Sequence, residues 1–423
     1  MNNSRRSRIL HISALVIAGE MVFSLPFHTT RFFRPTFLEV FDLTNTQLGD
    51  MFAAYGVLAM LSYLLGGPFA DRFSVRSLLF TSLIATACGG IYMATFPGAV
   101  QMAFIFGFFG VTTIFLFWAA LIRATREWGG DTVQGTAFGI LDGGRGLVAA
   151  IFAVVTVAVL AAYLPEDARM ATDAERSAAL RTIILLYSAA TFAAGVFVWF
   201  IIPAPGEIER ASSNPLAGMA FVLRRPIIWA QAGVIVCAYC GYKGLDNYSL
   251  YAVQVLGMDE VEGARLASYG AWVRPVAALA AGLIADRFDV TRSLGVFFIL
   301  LTLVYALLSI LTPDTTGMTV IYANLFVSYF AVFALRGIYF ALLEETRTPR
   351  HVTGAAVGVI SFVGFTPDIF FASIGGRLLD ANPGVGGHLD YFRFLTGIAI
   401  CGVLVVGWLM WLQRSNLARI SQE

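Results

Sequence analysis

The chain has 423 residues, of which 58% are hydrophobic and 13% are charged, and its mean hydropathy is +0.76. A soluble domain carries about twice that share of charged residues, so the composition excludes an ordinary soluble protein. The formal net charge of +1 is uninformative by itself, and we expect a lipid bilayer around the chain and no nucleic-acid partner.

Apolar stretches of about 20 residues, the length that spans a bilayer, recur along the whole chain. We predict twelve membrane-spanning helices, at residues 9–28, 48–70, 77–96, 100–122, 135–163, 181–202, 226–256, 264–285, 293–311, 318–343, 352–378 and 391–411. The first stretch is too long to be a removed signal peptide and has no cleavage site. The predicted fold class is therefore an all-α integral membrane protein.

The arginines of the short loops predict the orientation of these helices. Sixteen of them fall on the side of the two termini and eight on the opposite side. Since positive charge accumulates in cytoplasmic loops, we expect both termini in the cytoplasm of a bacterial cell, with the helices crossing its inner membrane.

An internal repeat divides the chain into two halves. The segment GPFADRFSVR, from Gly67 to Arg76, returns 215 residues later as GLIADRFDVT, from Gly282 to Thr291. A polar, proline-containing stretch lies near the midpoint. We therefore predict a six-helix bundle at 1–203, a cytoplasmic linker at 204–225 and a second six-helix bundle at 226–423. Parallel repeats of this kind place a transport site between the halves, near the membrane midplane.

Charged residues inside the predicted helices are the candidates for function. Ionised side chains in hydrocarbon are costly, so they line cavities or pair with one another. Eight such residues lie at depth: Glu20, Asp142, Arg145, Lys243, Asp246, Arg274, Arg336 and Asp368. Since four are acidic and four basic, charge counting alone does not prove an anionic ligand.

Lys243 is the only lysine of the chain, and its depth in the seventh predicted helix rules out a role in solubility. Its ammonium group can bind a substrate oxygen, or lose its proton when desolvated. The alternative is a structural salt bridge to Asp246, three residues on and on the same helix face. Tyr242 and Tyr248 flank this pair and are candidate hydroxyl donors to a substrate.

Arg145 repeats this geometry with Asp142 in the glycine-rich fifth helix. It lies ten residues past Gly135, which is about 15 Å into the membrane at about 1.5 Å per residue. Its guanidinium fork suits bidentate binding of a carboxylate, sulfonate or phosphate group. The alternative is a fixed Asp142–Arg145 pair that only holds the helix.

The other buried charges have less defined roles. Glu20 and Asp368 are candidate proton carriers, with Asp142 and Asp246, because low dielectric favours the protonated form of a carboxyl group. A structural hydrogen bond is the alternative for each. Three further arginines are candidate substrate ligands: Arg274, Arg336 and Arg31, the last of which follows the first helix.

Nothing in the sequence supports an enzyme. The four cysteines give no disulfide framework, the four histidines have no metal-ligand spacing, and no phosphate-binding P-loop is present. No nucleophile and base form a catalytic arrangement. We expect neither a cofactor nor a metal.

The repeated decapeptide resembles the loop between the second and third helices of Major Facilitator Superfamily transporters, whose pattern is G-x-x-x-D-R-x-[GS]-x-R. The second copy departs from it at Asp289 and Thr291. The resemblance covers essentially the whole chain and implies two six-helix bundles that rock about a central site, in a protein that works as a monomer. It assigns a conformational role to the following residues of the two motifs: Gly67, Asp71, Arg72, Arg76, Gly282, Asp286 and Arg287.

Within that superfamily the chain resembles the organophosphate–phosphate antiporters and related organic-anion carriers, sugar-acid carriers among them. Their R-x-G-x-x-D-W pattern on helix 7 corresponds to the run from Lys243 through Asp246 to Tyr248, and Arg145 takes the place of their helix 5 histidine. Arg31 corresponds loosely to their basic pair late in helix 1. The resemblance implies alternating-access transport of a small organic anion bearing a phosphate, carboxylate or sulfonate, coupled to protons or to anion exchange.

Three other functions stay open, one of which is a passive facilitator that needs no titratable coupling residue. A multidrug or metabolite efflux antiporter usually has a Gly-Pro motif in helix 5, which this chain lacks, and Arg145 and Lys243 would repel a cationic drug. A transporter-like solute sensor would bind its ligand without moving it.

Overall fold

The computed structural model describes residues 2–70, 72–130, 134–203, 222–346 and 353–420, which form helices and no strand. The first helices are α1 (Asn2–Phe23), α2 (Thr29–Phe32), α3 (Arg34–Val40), α4 (Asn45–Ala70), α5 (Val75–Met93), α6 (Ala99–Gly110), α7 (Ala119–Gly129), α8 (Gln134–Tyr163) and α9 (Asp173–Ile201). The later helices are α10 (Pro226–Gly244), α11 (Tyr248–Gln254), α12 (Glu260–Phe288), α13 (Val290–Leu308), α14 (Met318–Ile338), α15 (Leu342–Glu345), α16 (Thr353–Gly364), α17 (Pro367–Ala381) and α18 (Val385–Ile420). Short irregular turns complete them: π-helical at Ser24–His28 and Val111–Trp118, and 3-10 at Ala168–Met170, Leu245–Asn247 and Tyr339–Ala341.

The lengths of these helices confirm an all-α membrane fold. Nine helical stretches in the described residues are long and apolar enough to cross a membrane: Arg6–Phe32, Val75–Met93, Ala99–Gly129, Thr136–Tyr163, Asp173–Ile201, Val290–Leu308, Met318–Ala341, Ala356–Ala381 and Val385–Ser415. The other three predicted spans coincide with α4, with α10 and α11 together, and with α12. The helices are thus consistent with the twelve predicted spans.

The chain divides by its internal contacts into two compact units. The first unit comprises the described residues of Met1–Ala211 and Asp246–Trp272, and the second comprises those of Ser212–Leu245 and Val273–Glu423. One border therefore falls in the 3-10 turn that interrupts the predicted seventh helix. The bounds predicted for the two bundles stay a prediction, and residues 204–221 of the predicted linker lie outside the described residues.

The same helix pairs pack inside each unit, as an internal duplication requires. In the first unit, α1 packs on α8 and α9, and α5 packs on α9. In the second unit, α10 packs on α16 and α18, and α13 packs on α18. The core of the first unit is apolar, with Leu15, Leu79 and Leu121 fully buried in one cluster.

Helix capping follows the same repeat. The Ser74 hydroxyl accepts from Ser77 N at 3.1 Å at the start of α5, and Asp289 Oδ1 accepts from Arg292 N at 2.7 Å at the start of α13. The two capping positions differ by the repeat offset of 215. Asp289 has a φ of 74° and a ψ of 153°, a combination that is essentially restricted to glycine. The departure of the second motif copy at this position therefore preserves the cap but strains the backbone.

The first membrane helix extends past the predicted end at residue 28. It stays helical to Phe32 through the π-helical turn Ser24–His28. Pro26 has no backbone N–H, which breaks the regular bonding of an α-helix and favours a widened turn. The Thr30 hydroxyl donates to Pro26 O at 3.0 Å, so a side chain satisfies a carbonyl within this turn.

Close packing of α4 and α6 depends on Gly110. A Cβ added there would lie 2.5 Å from Tyr55 O and 3.1 Å from Ala59 N. Both contacts are to backbone atoms, which cannot rotate away. Small residues permit such approaches between membrane helices, so Gly110 sets the distance between α4 and α6.

Candidate substrate and coupling site

The Glu20 carboxylate contacts both Arg145 and His28 inside the first unit. Its Oε2 lies 3.1 Å from Arg145 Nε, and its Oε1 lies 3.2 Å from His28 Nε2. Glu20 is 3% exposed and His28 is 5% exposed. We call Glu20, His28 and Arg145 the Glu20 triad. It brings together two residues that the sequence analysis selected and one that it did not.

Glycines in the first and fifth membrane helices allow the triad to form. A Cβ at Gly19 would lie 3.2 Å from Arg145 Cδ, and a Cβ at Gly144 would lie 2.7 Å from Val16 Cγ1. The Arg145 guanidinium also lies over the Phe23 ring, 5.4 Å from its centroid. Helix α8 thus approaches α1 closely enough for Arg145 to reach the Glu20 carboxylate.

Asp246 pairs with Arg31 within the first unit. Arg31 Nε lies 2.6 Å from Asp246 Oδ1, and both side chains are buried. The Ser249 hydroxyl donates to Arg31 O at 2.7 Å. Arg31 therefore lies in a buried ion pair at the end of the first membrane helix.

A further ion-pair cluster joins the start of α12 to α3 and α9 within the first unit. Arg176 Nε lies 2.6 Å from Glu260 Oε1, Arg176 Nη1 lies 3.2 Å from Glu39 Oε1, and the Thr36 hydroxyl donates to Glu260 Oε2 at 2.9 Å. We call Arg176, Glu260, Thr36 and Glu39 the Arg176 cluster. Partial burial raises the pKa of the Glu39 carboxyl, and the Arg176 guanidinium lowers it in part. Nearby, Arg169 donates to Gly257 O.

Lys243 is 1% exposed and pairs with Asp368 inside the second unit. Lys243 Nζ lies 3.4 Å from Asp368 Oδ1, and the Tyr239 hydroxyl donates to Asp368 Oδ1 and Oδ2 at 3.0 and 3.1 Å. Asp368 lies in the first turn of α17, where the helix dipole favours a carboxylate. We call Lys243, Asp368 and Tyr239 the Asp368 cluster.

Tyrosines also hold the helix end that carries Lys243. Tyr305 OH donates to Gly241 O at 3.2 Å, and Tyr391 OH donates to Gly244 O at 3.3 Å. The Arg336 guanidinium stacks on the Tyr242 ring, 3.8 Å from its centroid. Arg336 therefore makes a cation–π contact with one of the tyrosines that flank the lysine.

The structure places the remaining candidates on three different helices. Arg274 is buried in α12 one residue before Pro275, Tyr248 is fully buried at the start of α11, and Asp142 is exposed on α8. Their roles stay predictions. Among the residues that the structure describes, no group of three His, Cys, Asp or Glu side chains is arranged to hold a metal ion.

The motif residues are placed only in part. Asp71 lies outside the described residues, and Gly67 lies near the end of α4. The Arg76 guanidinium lies 4.4 Å from the centroid of the Trp199 ring, and the exposed Arg72 precedes α5. In the second copy, Gly282 lies in α12 with the exposed Asp286 and Arg287. The conformational role of these motifs stays a prediction.

Sequence reasoning missed His28, Tyr239, Arg176 and Glu260 as site residues. His28 was considered only for metal-ligand spacing, although it lies eight residues after Glu20 with Pro26 between them. Arg176 and Glu260 lie just outside the predicted spans. The position of a charged residue next to the end of a predicted span is the signal that could have found them.

Comparisons with known proteins agree with this architecture. The family profile described as Major Facilitator Superfamily matches residues 16–372. The chain is 27% identical to inner membrane protein YqcE of Escherichia coli (strain K12), over 99% of this chain and 98% of that protein. It is 21% identical to a hexuronate transporter of Bacillus subtilis (strain 168), over 86% of each chain.

A solved structure extends the agreement to the fold. The inward-facing, unoccupied structure of a bacterial homolog of the human lysosomal transporter Spinster has a TM-score of 0.71 at 12% identity and covers 98% of each chain. At this identity the likeness concerns the fold alone. With the family profile and the apolar helices, it indicates a multi-pass inner-membrane transporter rather than an enzyme. The chain belongs to the Major Facilitator Superfamily.

Proposed function

We propose that the protein is a secondary active transporter of a small organic anion bearing a carboxylate, phosphate or sulfonate group. The transport would be coupled to protons or to exchange of a second anion. The observation that carries the proposal is that Arg145 and Lys243 each have a buried carboxylate partner, Glu20 and Asp368, within their own unit.

A buried cation that is paired with a carboxylate suits reversible anion binding. An ionised side chain in a membrane is retained where it has a functional partner, and a substrate carboxylate or phosphate can replace Glu20 on Arg145 or Asp368 on Lys243. Each exchange keeps the buried cation paired, and the displaced carboxylate must then take up a proton or pair with another cation, because an uncompensated buried charge carries a large penalty. The Bacillus subtilis relative named as a hexuronate transporter makes a sugar acid the first ligand to test.

The other candidate residues have assigned roles in this proposal. Arg31, Arg274, Arg336, Tyr242 and Tyr248 would contribute to substrate binding. The carboxylates Glu20, Asp368, Asp142 and Asp246 would exchange protons or ion-pair partners during the cycle. The motif residues Gly67, Asp71, Arg72, Arg76, Gly282, Asp286 and Arg287 would act in the conformational change, in a monomer with both termini in the cytoplasm.

A thermal-shift screen of the purified protein tests the proposal. The ligands are glucuronate, glucose 6-phosphate, succinate and methanesulfonate, with a hydrophobic quaternary ammonium compound as the cationic comparison. A ligand present at about 100 times its Kd stabilises the folded state by about 2.7 kcal/mol. We expect stabilisation by one anion class in the wild type and its loss in Arg145→Ala and in Lys243→Ala.

Arg393→Ala is the matched control, because Arg393 is an exposed arginine that pairs with Asp390 three residues before it. It should respond to the anion as the wild type does. Uptake of the same anion into proteoliposomes should be abolished by Arg145→Ala and by Lys243→Ala while both variants remain folded. Full uptake by either variant removes that residue from the proposed site.

The screen also separates the other functions. Stabilisation by the cationic compound alone, unaffected by Lys243→Ala, would support efflux of cations and contradict anion transport. Binding of an anion without any flux in proteoliposomes would support a solute sensor.

A further inference from the structure

His28 is a buried histidine with one nitrogen in use. Its Nε2 lies 3.2 Å from Glu20 Oε1, whereas in the described part of the chain Nδ1 has no hydrogen-bond partner. Because Nε2 faces a carboxylate, it carries the ring hydrogen of the neutral form. Nδ1 then holds a lone pair that is available to accept a proton.

The surroundings of the ring leave Glu20 as its main electrostatic partner. Among the described residues, the titratable and charged groups that contact the His28 ring are Glu20 from the same helix and Tyr187 from α9. Arg145 from α8 contacts the same Glu20 carboxylate. The Tyr187 ring lies 5.8 Å from the histidine ring, centroid to centroid, and its hydroxyl lies 3.3 Å from the Thr156 hydroxyl. The Phe32 ring completes the packing at 5.3 Å.

The internal repeat gives independent support for a functional base at this position. The repeat offset of 215 that relates Gly67 to Gly282, and the helix cap Ser74 to Asp289, also relates His28 to Lys243. Both residues are buried, and each lies beside a carboxylate, Glu20 in one unit and Asp368 in the other. The two halves thus carry a basic nitrogen at the same point of equivalent helices.

We propose that His28 is the residue that binds the coupling proton when the substrate anion binds Arg145. This inference rests on the proposed function and adds to it a stoichiometry of one proton for each anion bound. Without the anion, Glu20 is paired with Arg145 and His28 is neutral, so the triad has no net charge. When the anion takes Arg145, the buried Glu20 carboxylate loses its cation.

A proton from water then adds to the lone pair of His28 Nδ1. The imidazolium replaces Arg145 as the partner of Glu20, through the hydrogen bond that Nε2 already donates. The loaded site then contains two positive groups, Arg145 and the His28 imidazolium, and two negative groups, Glu20 and a monoanion. Its net charge is therefore again zero. Release of the anion reverses each step and returns the proton to water.

Isothermal titration calorimetry of the purified protein tests this at pH 7.5. The anion is the one that stabilises the wild type most in the thermal-shift screen, with glucuronate as the first probe. Titrations in buffers of different ionisation enthalpy give the number of protons taken up for each anion bound. We expect about one for the wild type and about zero for His28→Gln, since an amide can still donate to Glu20 but cannot be protonated.

Tyr187→Phe is the matched control, because it keeps the ring that packs on His28 and removes only a hydroxyl. It should take up the same number of protons as the wild type. If His28 has only a structural role, His28→Gln should bind the anion more weakly but still take up about one proton for each anion bound. That result would overturn the inference.

The wild type alone provides a second measurement in case His28→Gln does not fold. In NMR spectra of the wild type with isotope-labelled histidine, the ring nitrogens of His28 should change from the signals of a neutral ring to those of an imidazolium when the anion is added at the same pH. Ring nitrogens that keep the signals of the neutral form in the anion-bound protein overturn the inference. Failure of every anion to bind the wild type instead contradicts the proposed function itself.

Discussion

Glu260 provides the sharpest test of the energetics of the first unit. Its buried carboxylate lies 2.6 Å from Arg176 Nε and accepts the Thr36 hydroxyl at 2.9 Å. Glu260→Ala leaves the largely buried Arg176 guanidinium with Glu39, whose side chain is 48% exposed, as its remaining carboxylate. Breaking a buried pair on one side destabilises by about 3–5 kcal/mol. Because Glu39 and two backbone carbonyls remain, we expect a loss near about 3 kcal/mol.

The expected change is measurable by thermal unfolding in detergent. An unfolding entropy of about 2.1 cal/mol/K per residue gives about 0.9 kcal/mol/K for the 423 residues. A loss of about 3 kcal/mol in the free energy of unfolding therefore lowers the midpoint by about 3 °C. Tryptophan fluorescence during a temperature ramp resolves such a shift.

A double-mutant cycle isolates the ion pair from the separate effects of its two side chains. Arg176→Ala should also destabilise, because it leaves Glu260 buried with only Thr36 among its described partners in the Arg176 cluster. The double variant removes both charges, so its loss should be smaller than the sum of the single losses by about 2 kcal/mol.

The exposed pair Arg393–Asp390 is the control cycle. Its side chains are 60% and 36% exposed, and a surface pair contributes about 0.5 kcal/mol or less. Additive losses at Arg176 and Glu260, with a coupling no larger than that of the control, would refute the reasoning that burial makes this pair strong.

Three further predictions concern packing, the Asp368 cluster and a helix cap. Gly110→Ala should destabilise by about 2 kcal/mol or more, because its Cβ meets backbone atoms 2.5 and 3.1 Å away. Gly139→Ala, with nothing within 4 Å of its Cβ, should be neutral in the same thermal assay, and equal losses would contradict the packing argument. Tyr239→Phe removes the hydroxyl that donates to both oxygens of Asp368, so the midpoint should fall by about 2 °C, given about 1.5–3 kcal/mol for hydrogen bonds to charged groups. An unchanged midpoint would mean that water replaces the hydroxyl. Thr172 and Glu175 form a capping box at the start of α9, so Thr172→Ala should lower stability by about 1 kcal/mol, whereas Thr172→Ser should retain it. Equal stability of the two variants would show that the cap contributes nothing.

Hydropathy predicted most of the fold, because the bilayer imposes a length and a polarity on each helix. Hydropathy did not predict two irregular turns within the membrane helices. The π-helical turn Ser24–His28 follows from Pro26, whose effect on helix length depends on which hydroxyls satisfy the carbonyls around it. The interruption at Leu245–Asn247 has no proline, so nothing local distinguished it from a continuous seventh helix.

Ion-pair partners were harder to predict than the charged residues themselves. Spacing along a helix suggests only neighbours three or four residues away, and it suggested Asp142 for Arg145 and Asp246 for Lys243. The structure brings Glu20 to Arg145 and Asp368 to Lys243, across 125 residues in each case. Such partners depend on which helices pack together and on how far along each helix the two residues lie. The residues near a charged side chain in the sequence do not specify either.

The attachment of residues 246–272 to the first unit has a consequence for the assembly of the chain. Synthesis proceeds from the N-terminus, and early segments fold first. Arg31 and Arg176 are therefore made long before Asp246 and Glu260, the carboxylates that neutralise them. These two arginines of the first unit therefore lack these counter-ions until the ribosome has passed the segment 246–272. Expressing the halves as separate polypeptides cut at residue 203 would place these arginines and their counter-ions on different molecules, so the N-terminal fragment alone would lack part of its own compact unit.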